Sequence, residues 1–236
     1  MQHIVLSLNA GCCMRNSAQW EVIMNKEQVQ KALEELKKQL QKKFVQSYDL
    51  IINLKDYDVK QSPLDLFVNL PYSKGKKVKI AAFVDQLLAE QAKKFCDLVI
   101  RDTEFDKYKE DKKAAKKLAQ QYDYFIAQAT IMPKIAAVFG KALGARGKMP
   151  NPKLGCVVPP NANLEPLVKK LLTTVRLSAK KGTNLQCIVG KQDQSEAQVI
   201  DNILTVYQAA IKQLPNETHN IKAVLLKTTM GKPVKV

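Results

Sequence analysis

The sequence predicts an α+β domain that is interrupted by an inserted α/β domain, and three observations support this fold class. Residues 47–54 and 64–70 alternate apolar and polar side chains, as two strands of one sheet with a covered face do. Residues 77–144 alternate strand and helix patterns instead, which is typical of a parallel sheet. Glycine and proline concentrate between Gly140 and Gly155, so neither a helix nor a strand is expected to run through that segment.

The expected domain boundaries follow from these segments. Residues 1–23 continue none of the later patterns and are interpreted as an N-terminal extension outside the fold. Residues 24–72 and 156–236 are expected to form the discontinuous α+β domain. Residues 73–155 are expected to form the inserted domain, with a glycine- and proline-containing linker on each side.

The first expected element is a helix that begins after Met24 and Asn25. Asn25 and Gln28 have the spacing of a capping box, and Met24 and Val29 have that of a hydrophobic staple. Apolar residues then recur with a 3.6-residue period, which predicts one buried face. That face consists of Val29, Leu33, Leu36, Leu40 and Phe44. Phe44 considered alone therefore fits the last inward-facing position of the helix.

The inserted domain is expected to alternate strands and helices strictly. The strands are expected over 77–84, 97–100 and 124–130, and the helices over 85–95, over 103–121 and from Pro133 onward. Thr103 and Asp106 have capping-box spacing at the start of the long helix. Ile135, Val138 and Phe139 should face inward.

After Gly155 the chain is expected to complete the α+β domain. The expected elements are a helix over 164–172, a hairpin of strands 175–179 and 185–189, a helix from Ser195 to Pro215, and a last strand over 221–227.

Composition limits the classes of partner. A net charge of +16 and a pI near 9.6 attract polyanions, of which nucleic acid and an anionic membrane surface are the usual ones. No apolar run is long enough to span a membrane. The five cysteines are odd in number and lack C-x-x-C spacing, so we expect reduced, buried thiols in a cytoplasmic protein.

An enzyme that binds a nucleotide or a phosphate substrate is the alternative function. Asp85, Asp102 and Thr130 end expected parallel strands, where ligands of open α/β sheets bind. No glycine-rich phosphate motif accompanies them, and Asp85 and Thr103 more simply begin helices. We therefore assign no catalytic residue, no metal site and no cofactor.

Two groups of cations are ambiguous. The lysines from Lys109 to Lys117 could contact RNA, but a solvated helix face is favoured because apolar residues occupy the complementary face. Arg146, Lys148 and Lys153 in the linker fit phosphate contacts and mere solubility equally well.

Three short strings resemble the large-subunit ribosomal protein L-one family, the protein of the mobile side stalk, in its archaeal-like branch. They are Lys43-Phe44-Val45-Gln46-Ser47, Lys148-Met149-Pro150-Asn151-Pro152-Lys153 and Lys227-Thr228-Thr229-Met230-Gly231. The resemblance covers about residues 24–236. It implies a two-layer α+β discontinuous domain that binds RNA, with an inserted Rossmann-like three-layer α/β domain joined to it by a hinge.

The resemblance also implies the site. By position, the RNA-binding residues are Lys43, Phe44, Ser47, Asp49, Gly190, Lys191, Thr228, Thr229, Met230 and Gly231. Ser47 and Asp49 replace the family's usual threonine and glutamate and keep the chemical group. Arg146, Lys148 and Lys153 are candidates for additional RNA or hinge contacts. We expect the peptides around Phe44 and Met230 to meet as one rigid surface.

The implied function is that of a structural constituent of the large ribosomal subunit, without catalysis. It would bind rRNA at the side stalk, contact exit-site tRNA, and repress translation by binding its own mRNA. The expected location is the ribosome in the cytoplasm, with no membrane contact. Free of the ribosome, the protein is expected to be a monomer without cofactors.

Overall fold

The computed structural model describes residues 24–39, 43–59, 62–160, 162–179 and 182–236, without the side chains of residues 87, 110 and 112. The predicted extension over 1–23 lies outside this part of the chain. The helices and strands are α1 (Lys26–Lys38), β1 (Ser47–Leu54), β2 (Leu64–Asn69), β3 (Ile80–Val84), α2 (Gln86–Phe95), β4 (Leu98–Arg101), α3 (Phe105–Glu110), α4 (Lys112–Gln121), β5 (Tyr124–Gln128), α5 (Met132–Gly144), β6 (Val157–Val158), α6 (Leu164–Thr173), β7 (Thr174–Ala179), β8 (Asn184–Lys191), α7 (Glu196–Ile211), β9 (Ile221–Thr228) and β10 (Val234–Lys235).

An antiparallel sheet with the order β10-β9-β1-β8 forms one layer of the molecule. Its strand β1 alternates buried and half-buried residues along its whole length, as predicted. The buried face packs with α1 and α7 into one apolar core. Strand β1 thereby joins chain segments from both ends of the sequence, because it pairs with β8 on one side and β9 on the other.

Strands β2 and β7 pair with each other in a separate two-stranded sheet. The predicted hairpin of 175–179 with 185–189 is therefore wrong, and so is the placement of residues 47–54 and 64–70 in one sheet. Alternation shows which face of a strand is buried but does not identify its partner. Here Arg176 on β7 donates two hydrogen bonds to the Asp65 carboxylate on β2, at 2.7 and 2.6 Å, which favours the observed pair.

A second four-stranded sheet, with the order β4-β3-β5-β6, is parallel as predicted. Its central strand β3 is buried at every position, because helices cover both faces of the sheet. Helices α2 and α6 pack on one face, and α3, α4 and α5 on the other. Ile135 and Phe139 of α5 are fully buried there, and Val138 is partly buried, as expected.

Strand β6 and helix α6 extend this parallel sheet. Val158 pairs with Gln128 of β5, while Leu164 and Leu171 pack with Ile126 in the core beneath α2. The sequence patterns predict no strand at 157–158, and they place the helix over 164–172 with the other sheet, because an amphipathic face shows that a helix is buried without showing against what.

The long helix predicted over 103–121 is broken at Asp111. One Asp111 carboxylate oxygen accepts hydrogen bonds from the N–H groups of Lys113 and Ala114, at 2.9 and 3.2 Å, and begins a new helix. The capping box predicted at Thr103 does not form, since residues 102–104 make a 3-10 turn instead. A short acidic side chain competes with the helix backbone, so it caps more readily than it sits inside a helix.

Helix α1 has its predicted start and an earlier end. Gln28 Oε1 accepts a hydrogen bond from the N–H of Asn25 at 3.3 Å, and Met24 and Val29 share a core. The helix ends at Lys38, so Phe44 does not belong to it. Phe44 is 52% exposed, and the interpretation of this residue as an inward-facing helix position is wrong.

Replacing Gly140 by alanine is expected to stabilise the fold by about 0.5–1 kcal/mol. Gly140 lies inside α5, and a Cβ atom there would meet nothing within 4 Å. Alanine therefore restricts the unfolded chain without strain in the helix. Urea unfolding measures the change, and a lower unfolding free energy would contradict it.

Three buried cysteines are free thiols, as expected for a reduced protein. Burial raises the pKa of Cys96 and of Cys156 from 9.0 to about 11, and that of Cys187 to about 12. The folded state therefore holds these protons more tightly than the unfolded state, so stability should fall as the pH rises from about 9 to 12.

Thiol labelling provides a direct check on this burial. With Cys12 and Cys13 replaced by serine, labelling at pH 8 should be at least about 100-fold slower in the folded chain than in urea, because a pKa of 11 leaves that much less thiolate. Equal rates would contradict the buried placement.

Candidate nucleic-acid interface

Three segments that are distant in sequence meet at one end of the antiparallel sheet. At the start of β1, Ser47 pairs with Lys191 of β8, and Tyr48 pairs with Thr228 of β9. The predicted RNA-binding residues are therefore brought together, and we call this surface the platform. It consists of Lys43, Phe44, Ser47, Asp49, Gly190, Lys191, Thr228, Thr229, Met230 and Gly231.

Thr229 fixes the loop after β9 to the start of β1. Its N–H donates to the Ser47 carbonyl oxygen at 3.1 Å, and its Oγ1 accepts from the Ser47 N–H at 3.1 Å. These reciprocal bonds join residues 182 positions apart. The peptides around Phe44 and Met230 thus form one surface, as expected.

Gln46 is buried under the platform and forms hydrogen bonds with the other two segments. It is 3% exposed, its N–H donates to Gln192 Oε1 at 3.1 Å, and its carbonyl oxygen accepts from the Gln192 N–H at 3.0 Å. Its side-chain Oε1 accepts from the N–H of Met230 at 3.1 Å. The only sequence signal for Gln46 is its place within the string from Lys43 to Ser47.

Gly231 is required by a close contact inside the platform. A Cβ atom there would overlap Thr228 Oγ1 and lie 2.9 Å from Gln39 Oε1. The Gly231 N–H donates to the Thr228 carbonyl oxygen at 3.1 Å, and Gln39 Oε1 accepts from the N–H of Lys232 at 3.0 Å. The loop is therefore packed tightly against the end of α1.

Gly190 lies at an irregularity in β8. Tyr48 pairs with Gly190 and Asp49 pairs with Ile188, so one strand carries an extra residue at this point. A Cβ atom on Gly190 would lie 2.7 Å from Gln194 Oε1, which accepts from the N–H of Lys191 at 3.1 Å. The ladder continues beyond the bulge to Ser47 and Lys191, so the bulge lies within the platform.

The outer surface of the platform carries large apolar side chains beside exposed cations. Phe44 and Met230 are 52% and 66% exposed, and Val45, which is not among the predicted site residues, is 49% exposed. Lys43 is exposed next to them. Exposed aromatic and flexible apolar side chains suit contact with bases and ribose, and lysines suit phosphate.

Asp49 and Thr228 sit deeper in the platform. Partial burial raises the pKa of the Asp49 carboxyl, and the neighbouring Lys227 opposes that rise. Thr228 is 3% exposed, and its hydroxyl lies against Gly231 instead of facing solvent.

The chain matches a known protein family over most of its length. The family model described as "Ribosomal protein L1p/L10e family" matches residues 36–232, a range that contains every platform residue. The chain belongs to the ribosomal protein L1p/L10e family.

Relatives from archaea support this membership. The chain is 41% identical over 214 residues to "Large ribosomal subunit protein uL1" of Nanoarchaeum equitans, covering 89% of this chain and 98% of that protein. It is 43% identical over 196 residues to the protein of that name from Pyrococcus abyssi, covering 82% and 87%. For Methanobrevibacter smithii the identity is 40% over 215 residues, covering 89% and 99%.

The three linker cations of this member of the L1p/L10e family each have different surroundings. Lys148 Nζ donates to the carbonyl oxygens of Ala119 and Tyr122, at 3.0 and 2.7 Å, and so caps the C-terminus of α4. Arg146 is exposed, and with Lys148 it lines a cleft beside β8. Lys153 is exposed in a 3-10 turn at the end of the linker. None of the platform hydrogen bonds described above involves these three side chains.

Two of the three positions considered for an enzyme site make contacts within the fold. Asp102 pairs with Lys134 Nζ at 2.6 Å, and the Asp85 N–H donates to Gln128 Oε1 at 3.0 Å. Within the described ranges, no three His, Cys, Asp or Glu residues group as metal ligands. No helix in the same ranges has both the length and the apolar character needed to cross a bilayer.

Proposed function

We propose that this chain is a structural constituent of the large ribosomal subunit that binds rRNA through the platform. The observation that carries the proposal is the reciprocal Ser47–Thr229 pair, which holds exposed Phe44 and Met230 on one rigid surface. Membership of a ribosomal protein family and relatives named for the large subunit support it. The role is structural and uses no catalytic residue, metal or cofactor.

The platform suits folded RNA for physical reasons. RNA helices present a wide, shallow groove with ribose 2′-hydroxyls, which proteins recognise largely by shape. A surface held by backbone and glutamine hydrogen bonds loses little entropy on binding. The net charge of +16 adds long-range attraction to phosphates, so affinity should fall steeply with salt.

The finer role is the mobile side stalk near the tRNA exit site. In this proposal the platform holds stalk rRNA, and the protein contacts exit-site tRNA from the ribosome in the cytoplasm. The chain's own mRNA would compete for the platform where it folds into the same shape, and this would repress translation. Free of the ribosome, the protein is a monomer.

The domain arrangement is part of the same proposal. The antiparallel sheet and its helices form a discontinuous rRNA-binding domain, and the parallel sheet forms an inserted domain on hinge linkers. Strand β6 and helix α6 pack on the parallel sheet. This packing supports a boundary near Thr173 and Thr174, instead of at residue 156, for the return of the chain to the discontinuous domain.

Thr229→Ala tests the proposal. It removes the acceptor of the Ser47 N–H, so we expect rRNA stalk-fragment binding to weaken by roughly 1–3 kcal/mol, or about 5- to 150-fold. Calorimetric titration measures the dissociation constant. Thr130→Ala removes an exposed hydroxyl from the parallel-sheet part and serves as the matched control. Equal dissociation constants for both variants and the natural chain would reject the platform.

A further inference from the structure

A cleft of about 600 Å³ lies beside β8. Its other walls are the two-stranded sheet that contains β2, the parallel sheet that contains β5, and the linker. Its wall carries five cations, Lys74, Lys76, Arg146, Lys148 and Arg176, and one carboxylate, Asp123. The platform hydrogen bonds described above use none of these side chains. A volume of this size is within the range of small-molecule sites.

Three of the five cations of the cleft are held by backbone oxygens, and Lys76 Nζ pairs with the Asp123 carboxylate at 3.1 Å. Arg176 donates to the Gly147 carbonyl oxygen at 2.5 Å while its other nitrogens bind Asp65. Lys74 Nζ donates to the Thr174 carbonyl oxygen at 3.0 Å, and Lys148 uses two carbonyl oxygens. An ammonium group has three donors and a guanidinium five, so each of these side chains can still donate to a ligand.

The electrostatics of the cleft favour an anion. Burial lowers the pKa of Lys74, and Lys76 lowers it further while Asp123 opposes the change. Burial also lowers the pKa of Lys148, again with repulsion from Arg146 and Lys76 and opposition from Asp123. The cations therefore repel one another across the cleft, and a bound anion would relieve that repulsion.

The wall also provides apolar and aromatic surface. Phe67 and Tyr124 line the cleft, and the Arg176 guanidinium lies 5.6 Å from the Phe67 ring centroid. Cations beside aromatic rings suit a ligand that joins a phosphate to a sugar and a base.

We propose that this cleft is a second binding site, which takes a nucleoside phosphate. The ligand is either a free nucleotide or a nucleotide of the RNA strand held by the platform, and the latter source rests on the proposed function. Ile188 lines the cleft and Gly190 belongs to the platform, only two residues further along β8, or about 7 Å. One RNA strand can therefore reach both sites.

Arg146→Gln tests the cleft, because Arg146 is exposed and its loss leaves the fold intact. Lys116→Gln, on the exposed face of α4, removes the same charge elsewhere and is the matched control. Calorimetry of the full chain should show AMP binding that Arg146→Gln weakens about tenfold and Lys116→Gln does not, which is the size of one charge-assisted contact. The same two variants are then titrated with the rRNA stalk fragment.

The outcomes separate the two sources of ligand. Selective loss of AMP binding alone supports a free-nucleotide site, and a selective loss of rRNA affinity supports an RNA strand in the cleft. The proposal is overturned if Arg146→Gln and Lys116→Gln agree for both ligands. If AMP binding responds to Arg146→Gln while Thr229→Ala leaves rRNA affinity unchanged, the cleft stands and the platform fails.

Discussion

Gly231→Ala is expected to weaken binding of the rRNA stalk fragment by about 2–4 kcal/mol, or roughly 30- to 1000-fold. The added Cβ atom would overlap Thr228 Oγ1 and press on Gln39 Oε1. Because Thr228 is 3% exposed, its side chain has little room to rotate away, and we expect the loop to shift instead. That movement breaks the Thr229 contacts with Ser47 and displaces Met230 from the platform surface.

Gly140→Ala is the matched control for this substitution. A Cβ atom on Gly140 would meet nothing within 4 Å, and Gly140 does not line the cleft, so this variant should bind rRNA as the natural chain does. Calorimetric titration gives the dissociation constants, and circular dichroism checks that both variants are folded. If folded Gly231→Ala binds as tightly as Gly140→Ala, the close-packed loop does not hold the RNA site.

Phe83→Ala is expected to lower the free energy of unfolding of the parallel-sheet part by about 3–5 kcal/mol. The Phe83 ring is fully buried, with ring centroids of Phe105, Phe125 and Phe139 at 5.8, 5.7 and 5.0 Å. Removing it leaves a large cavity between β3 and the helices on that face. Urea unfolding measures the loss, and Phe95→Ala, at a residue that is 40% exposed, should change it by less than about 1 kcal/mol.

The same variant tests whether the two parts of the chain are separate domains. Amide hydrogen exchange should rise in peptides from β3, β5 and α5 and stay unchanged in β1 and β9. The rRNA affinity of Phe83→Ala should equal that of the natural chain under conditions where it is folded. Equal loss of protection in both sheets would show one cooperative unit and contradict the proposed domains.

Much of the fold could be predicted because local patterns decide it. The alternation of β1 and the strand–helix repeat of 80–144 depend on which side chains face the core, and both are confirmed. The partners of β2 and β7 depend on contacts between distant residues such as Asp65 and Arg176. The period of apolar residues along a strand does not identify its partner strand, and the predicted hairpin is wrong for this reason.

The residues of the platform could be proposed from the sequence, but the hydrogen bonds that hold them in place could not. Short strings identify Phe44, Thr229 and Met230 by family resemblance, and the structure brings their segments together. Of the two glutamines that hold them, Gln39 gives no periodic or motif signal, and Gln46 has only its place within the string from Lys43 to Ser47. Their role appears only when β1, β8 and β9 are assembled.

Phe44 shows how a regular pattern can mislead. Its spacing extends the apolar face of the first helix, yet the helix ends at Lys38 and Phe44 is exposed. A large aromatic side chain that remains half in solvent, in the segment that Gln46 joins to Met230, is available to a partner.

Site-directed cleavage of rRNA tests most directly whether Phe44 and Met230 belong to one rRNA-binding surface. The experiment uses a chain in which Cys12 and Cys13 are replaced by serine. An iron chelate is attached to a new cysteine at Phe44→Cys, at Met230→Cys or, as a control, at Lys116→Cys. Hydroxyl radicals from the chelate then cut nearby RNA. The single platform predicts that the probes at 44 and 230 cut overlapping nucleotides of the stalk rRNA, while the probe at 116 does not cut there. Separate cleavage sites for 44 and 230, or none, would contradict one rRNA-binding surface.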